Sequence, residues 1–193
     1  MSPQRSNRTR LMEGTLRCLE RLPPEQVTAR VIAAEAGANI ASITYHFGSK
    51  DNLVTAAVIE GLDRWLVAIF ESLDEMPPGR PADRLLRTAA IVDASRDRHR
   101  GLAQNFVTAV AKAQHDAEVR QLLAHGFRQA RSNVAAVVPL GDDHVGSDAG
   151  ALVLAMFHGL LLSTLLEPAL GVEGDRLSDA LARLRTVLPE ETP

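Results

Sequence analysis

Apolar residues recur along this chain at intervals of three and four, the spacing of amphipathic helices. In residues 8–22, Leu11, Met12, Leu16, Leu19 and Leu22 share one face, and Pro23-Pro24 ends the run. Thr28 is a good N-cap for a short helix, Ala29–Ala36, which Gly37 terminates. Asn39 can cap a third helix over 40–47, with Ile43 and Phe47, at i and i+4, as its inward pair. Gly48-Ser49 breaks the chain again. Ser49 caps a fourth helix reaching residue 73, with Leu53, Ala57, Leu62, Leu66 and Ile69 inward and Asp51 in the first turn, where the helix dipole favours negative charge. Further helices are predicted near 82–96, 101–114, 116–138, 147–166 and 175–188, separated by Pro- and Gly-rich stretches at 76–81, 139–143 and 168–174. Alternating β-branched runs and Asn-Gly or Asp-Gly turns are absent, so the fold class is all-α.

Two of these helices are unusual. Residues 151–166 are almost continuously apolar, yet 16 residues are too few to span a membrane, and His158, Gly159, Ser163 and Thr164 interrupt them. The expectation is a helix buried on nearly all sides, with no membrane role. The last helix carries a narrow seam, Leu177, Leu181, Leu184 and Leu188, opposite a charged face. With Leu161 and Leu165, that seam offers more apolar surface than one small body needs. A symmetric homodimer is expected to cover it.

Length and composition narrow the class. The 193 residues are 46% hydrophobic and 23% charged, which suits a folded chain with a sizeable core. The lone Cys18 rules out an internal disulfide framework. Seven aromatic residues are few for a single-strand binding platform. Three arginines in the first ten residues, with no apolar run after them, argue against a signal peptide and for a cytoplasmic location. The net charge of −3 conceals a polarity: residues 1–50 hold seven basic and four acidic groups, and the remainder holds 14 basic and 20 acidic. A polyanion-binding module on an acidic body is compatible with that division.

The informative segment runs from Thr28 to Leu53. Two short helices meet at Ala36-Gly37-Ala38-Asn39, the layout of a helix-turn-helix, whose second helix enters the DNA major groove. Small Ala33 and Ala36 let the helices approach, and Gly37 supplies the backbone conformation of the turn. The third helix is too short to be stable by propensity and must be held by packing. Its outward residues would be Ala41, Ser42, Thr44, Tyr45 and His46. Thr28-x3-Ile32-Ala33-x2-Ala36-Gly37-x5-Ile43-x-Tyr45-His46-Phe47-x-Ser49-Lys50-x2-Leu53 closely resembles the TetR family of transcriptional regulators over about residues 8–60.

The resemblance implies a three-helix DNA-binding head, residues 1–50, on a larger helical body, residues 51–193, that binds a small molecule and dimerises through its last helices. Ligand binding would move the fourth helix and with it the two heads. The DNA-contacting residues it suggests are Thr28, Arg30, Asn39, Ile40, Ala41, Ser42, Thr44, Tyr45, His46 and Lys50, with Lys50 on a phosphate. The partners expected are a double-stranded DNA operator, a second copy of the chain and an unknown small-molecule effector. Asn39 stands where the family often has Ser or Thr, and Thr44 where many members have Tyr.

Other residues leave alternatives open. Tyr45 either contacts DNA or packs against the first helix. Arg5, Arg8 and Arg10 are either a basic arm or a solvated terminus. His158 is either a satisfied core histidine or a polar group lining a cavity, and Trp65, Phe70, Gln104, Asn105, Phe106, Phe127 and Phe157 are similar candidates. No His pair with metal-ligand spacing, no paired cysteines, no nucleophile elbow and no glycine-rich phosphate loop occur. No metal, cofactor or enzymatic activity is therefore expected. The competing readings are a regulator without a small-molecule ligand, either constitutive or partner-controlled, and a small helical enzyme or carrier.

Overall fold

The structure, a computed structural model, describes residues 6–74, 81–137, 141, 143–172 and 174–187. Its helices are α1 (Asn7–Arg21), α2 (Ala29–Ala36), α3 (Ala41–Phe47), α4 (Lys50–Asp74), α5 (Pro81–Ser95), α6 (Arg100–Lys112), α7 (Ala117–Val137), α8 (His144–Leu166) and α9 (Gly174–Arg185). Short 3-10 turns occupy Pro24–Gln26 and Pro168–Leu170, and no strand occurs among the described residues. The all-α expectation holds, and every expected helix is present with its ends within three residues of the expected ones.

The chain divides into two compact units, Met1–Val67 with Asp97–Asn133, and Ala68–Arg96 with Val134–Pro193. In the first, Leu11, Leu19, Ile32, Leu53, Val58 and Val119 are almost wholly buried in one core. Glycines set how closely its helices approach. A Cβ on Gly14 would lie 2.9 Å from the Ala36 backbone, so α1 and α2 touch main chain to main chain. A Cβ on Gly101 would collide with the Leu19 carbonyl, which places the start of α6 directly on the end of α1. Arg64 of α4 reaches Glu13 of α1 at 2.7 Å and Glu60 at 2.8 Å, tying α4 to the same helix.

In the second unit, α8 overturns two expectations. It starts three residues earlier than its apolar pattern suggested, because the Asp143 carboxylate accepts the Gly146 N–H at 2.8 Å and caps it. At 23 residues it is long and apolar enough to cross a membrane by length and composition alone, so shortness is no argument against a span. Nor is it buried on nearly all sides. Gly146, Gly150, Leu154, Leu161 and Thr164 form one buried stripe, whereas Leu152 and Leu166 are 73% and 84% exposed. A single helix against few neighbours covers only one face, whatever its composition.

Candidate nucleic-acid interface

α1 to α3 build a frame around a short exposed helix. The Thr28 hydroxyl accepts the Val31 N–H and caps α2. Gly37, at φ +57°, closes it in the left-handed conformation that glycine adopts freely. The carbonyls left at that end are taken by Arg10, whose Nε donates to Ala36 O at 3.2 Å and whose Nη2 donates to Gly37 O. Asn39 Oδ1 then accepts the Ala41 N–H at 2.9 Å and starts α3. At the far end, Ser49 Oγ accepts the Asn52 N–H at 3.0 Å, and the buried Asn52 side chain donates to Phe47 O at 3.1 Å. Seven residues of helix are thus braced from both ends, which offsets their weak intrinsic stability.

The two sides of α3 differ sharply. Ile43 is buried in the core to which α1 and α2 also contribute. Phe47 is half-buried beside the same core, with the Arg8 guanidinium 5.2 Å above its ring. On the opposite side Ile40, Ala41, Thr44 and Tyr45 are exposed, and Ser42 and His46 are partly so. Tyr45 is 84% exposed, with its ring edge-on to that of His46, so the alternative of packing on α1 does not apply. Thr28, Arg30 and Asn39 are exposed as well. Lys50, at the start of α4, lies 2.9 Å from Asp51.

Much of the head's basic charge is engaged within the fold. Arg17 and Arg21 both hold Glu35 at 2.6 Å. The Arg17 hydrogen bond, then that of Arg21, keeps the Glu35 carboxyl below its ordinary range. Arg10 braces the turn and Arg8 covers Phe47, so neither belongs to a free arm, and Arg5 lies outside the described residues. Sequence reasoning missed the roles of Arg10, Asn52 and Glu35. The Arg10–Ala36 contact spans 26 residues and leaves no local spacing to read.

The residues considered for a ligand pocket fall in both units. In the first unit Trp65 is buried and stacks on His99 at 4.4 Å, Asn105 is buried, and Phe106 meets Phe127 at 5.9 Å. Gln104 is half-buried. In the second unit Phe70 and His158 are half-buried, and burial holds the His158 imidazole below its ordinary pKa, favouring the neutral ring. Phe157 does line a groove, with Ala89, Val92, Asp93, Arg96, Leu160, Leu161, Thr164, Gly171 and Val172. Its cavity is only about 40 Å³. Arg96 and Asp93 pair within it at 2.9 Å. Of the residues expected at a dimer interface, Leu161 and Leu177 are buried within the chain itself, Leu165 and Leu181 are half-buried, Leu184 is exposed, and Leu188 lies outside the described residues.

A capped helix, a glycine turn and a braced second helix with a polar outer face define a helix-turn-helix DNA-binding protein. Residues 11–57 match the profile of bacterial regulatory proteins, tetR family. Over that segment the chain matches a tetR-family domain, and its fold is shared by solved structures described as transcriptional regulators, one of them as TetR-family. Similar structures include a transcriptional regulator from Rhodococcus sp. Rha1 (21% identity, 91% of this chain and 92% of that one, TM-score 0.60). Another is the multidrug binding protein EbrR complexed with imidazole (18% identity, 96% and 92%, TM-score 0.66). A third is a protein from Saccharomonospora viridis assigned as a transcriptional regulator, in complex with choline (20% identity, 83% and 85%, TM-score 0.55). No curated protein sequence matches this chain.

Proposed function

We propose that the chain is a cytoplasmic, homodimeric repressor without enzymatic activity, which binds a near-palindromic operator and is released from it by a small molecule. The observation that carries the DNA-binding half is the braced α3, whose outer residues Ala41, Thr44 and Tyr45 are free to meet base edges while Ile43 anchors it from behind. Lys50, at the start of α4, is the phosphate contact. The dimer is supported by the uncovered apolar residues of α8, Leu152, Leu162 and Leu166, and by Leu184 of α9. A second copy would bury them out of water, in an obligate interface of about 2,000 Å² or more. Two-fold symmetry would set the recognition helices about 34–36 Å apart, or a multiple of that.

The ligand half draws support from the choline and imidazole held by similar structures. One observation favours the second reading, a regulator controlled by a partner or always active. This groove, at about 40 Å³, is well short of the roughly 300 Å³ of a small-molecule site and would have to widen to hold an effector. Selection of bound fragments from random DNA, followed by a release screen with small cations and aromatics, tests both halves. Enrichment of an inverted repeat and its release by a compound are expected. No enrichment overturns the DNA-binding half, and enrichment with no releasing compound favours the second reading. Lys50→Ala should weaken binding to all duplexes alike and lower the salt slope by about one unit per protomer.

A further inference from the structure

The chain has 19 arginines and only two lysines, and both lysines converge on one carboxylate. Lys50 Nζ lies 2.9 Å from Asp51 Oδ1, and Lys112 Nζ bonds Asp51 Oδ2. The three side chains keep 34–38% of their surface exposed, so they are held but remain in contact with solvent. Lys112 comes from the last turn of α6. The other end of α6 rests on α1, at the Gly101–Leu19 contact, and its middle is locked into the core by Leu102, Phe106 and Ala109. One rigid helix therefore connects the end of α1 with the first turn of α4.

We propose that Asp51 and Lys112 are positioning residues for DNA binding, forming with Lys50 a charge relay. This rests on the reading of Lys50 as a phosphate contact. With Lys112 in place, the three groups carry one net positive charge at the start of α4. Lys112 occupies one carboxylate oxygen, and Lys50 keeps the capacity to bond a phosphate. Without the Lys112 ammonium, Asp51 would be left to Lys50 alone. The local charge becomes zero, and the phosphate loses its counter-charge.

The test is binding of the full-length protein to a fluorescent random-sequence DNA duplex over a range of KCl, with thermal melting of each variant. Lys112→Met should weaken binding and lower the salt slope by up to one unit per protomer. Lys112→Arg should restore both. Asp51→Asn should act in the opposite direction, tightening binding and steepening the slope, which simple loss of a structural contact would not do. In a Lys50→Ala background, Lys112→Met should change the slope no further. An equal further drop there would mean that Lys112 meets DNA by itself, and would overturn the relay. Unchanged or weakened binding by Asp51→Asn would also overturn it. If Lys50→Ala shifts the slope and Lys112→Met does not, the relay fails alone. If Lys50→Ala shifts nothing, the phosphate reading fails and the relay with it.

Discussion

α3 and α8 face the same problem, a helix with apolar residues to cover, and meet it in opposite ways. α3 has seven residues and would not persist in isolation. Around it Asn39, Asn52 and Arg10 take up the main-chain groups of α3 and of the turn before it, and Ile43 is buried. α8 has 23 residues, a firm Asp143 cap and far more apolar surface, yet Val145, Leu152, Leu162 and Leu166 remain exposed. A short helix can be completed by side chains reaching from its neighbours. A long apolar one needs another surface. The first arrangement suits a rigid element that presents polar groups, and the second suits an interface between copies.

The largest expected effect breaks the α8 side of this contrast. Leu152→Glu combined with Leu166→Glu should convert a dimer to a monomer at micromolar concentration in analytical ultracentrifugation, with helical content kept, because both residues are already exposed in the protomer. A dimer that survives would show that this face is covered by something else. Next comes the anchor of α3. Ile43→Ala should cost about 2–5 kcal/mol in chemical denaturation, the range for truncating a buried Ile. Phe47→Ala should cost less, since its ring is only half-buried. The reverse order would mean that α3 is held by Phe47 rather than by Ile43.

Thr44→Ala separates presentation from packing. Stability should change by no more than about 0.5 kcal/mol, as at other exposed sites. Preference at one base pair per half-site should change by about 1–3 kcal/mol, read from a panel of single-base operator variants. An unchanged base profile would put the wrong face of α3 in the groove. The smallest effect concerns Asp63 of α4, whose carboxyl pKa is raised by burial and then by Glu60, with His125 opposing. The folded state therefore takes up this proton more readily than the unfolded one. Ionised Asp63 costs stability at neutral pH, and the cost fades as pH falls through the folded pKa toward about 4. Asp63→Asn should raise Tm slightly at pH 7 and leave it nearly unchanged near pH 4. A Tm that falls at pH 7 would show that the carboxylate is stabilising where it stands.

The local code of this chain was legible without coordinates. Thr28, Asn39 and Ser49 sit where helices start, Gly37 sits where one ends, and Ile43 marks the inward side of α3, because capping and amphipathic spacing act within one or two helical turns. The likeness of the 28–53 segment to a regulator head was legible for the same reason. Charge was not. Seven basic groups in residues 1–50 suggested a broadly cationic head, but Glu35 engages two of them, the α2 turn a third and Asp51 a fourth. Which carboxylate or carbonyl a long side chain meets depends on how helices cross, here at Gly14–Ala36 and Gly101–Leu19, and those crossings join residues far apart in the chain. The exposed face of α8 was hidden for the same reason. Its composition announced burial, but only the packing of the helices around it decides which of its sides are covered within one protomer.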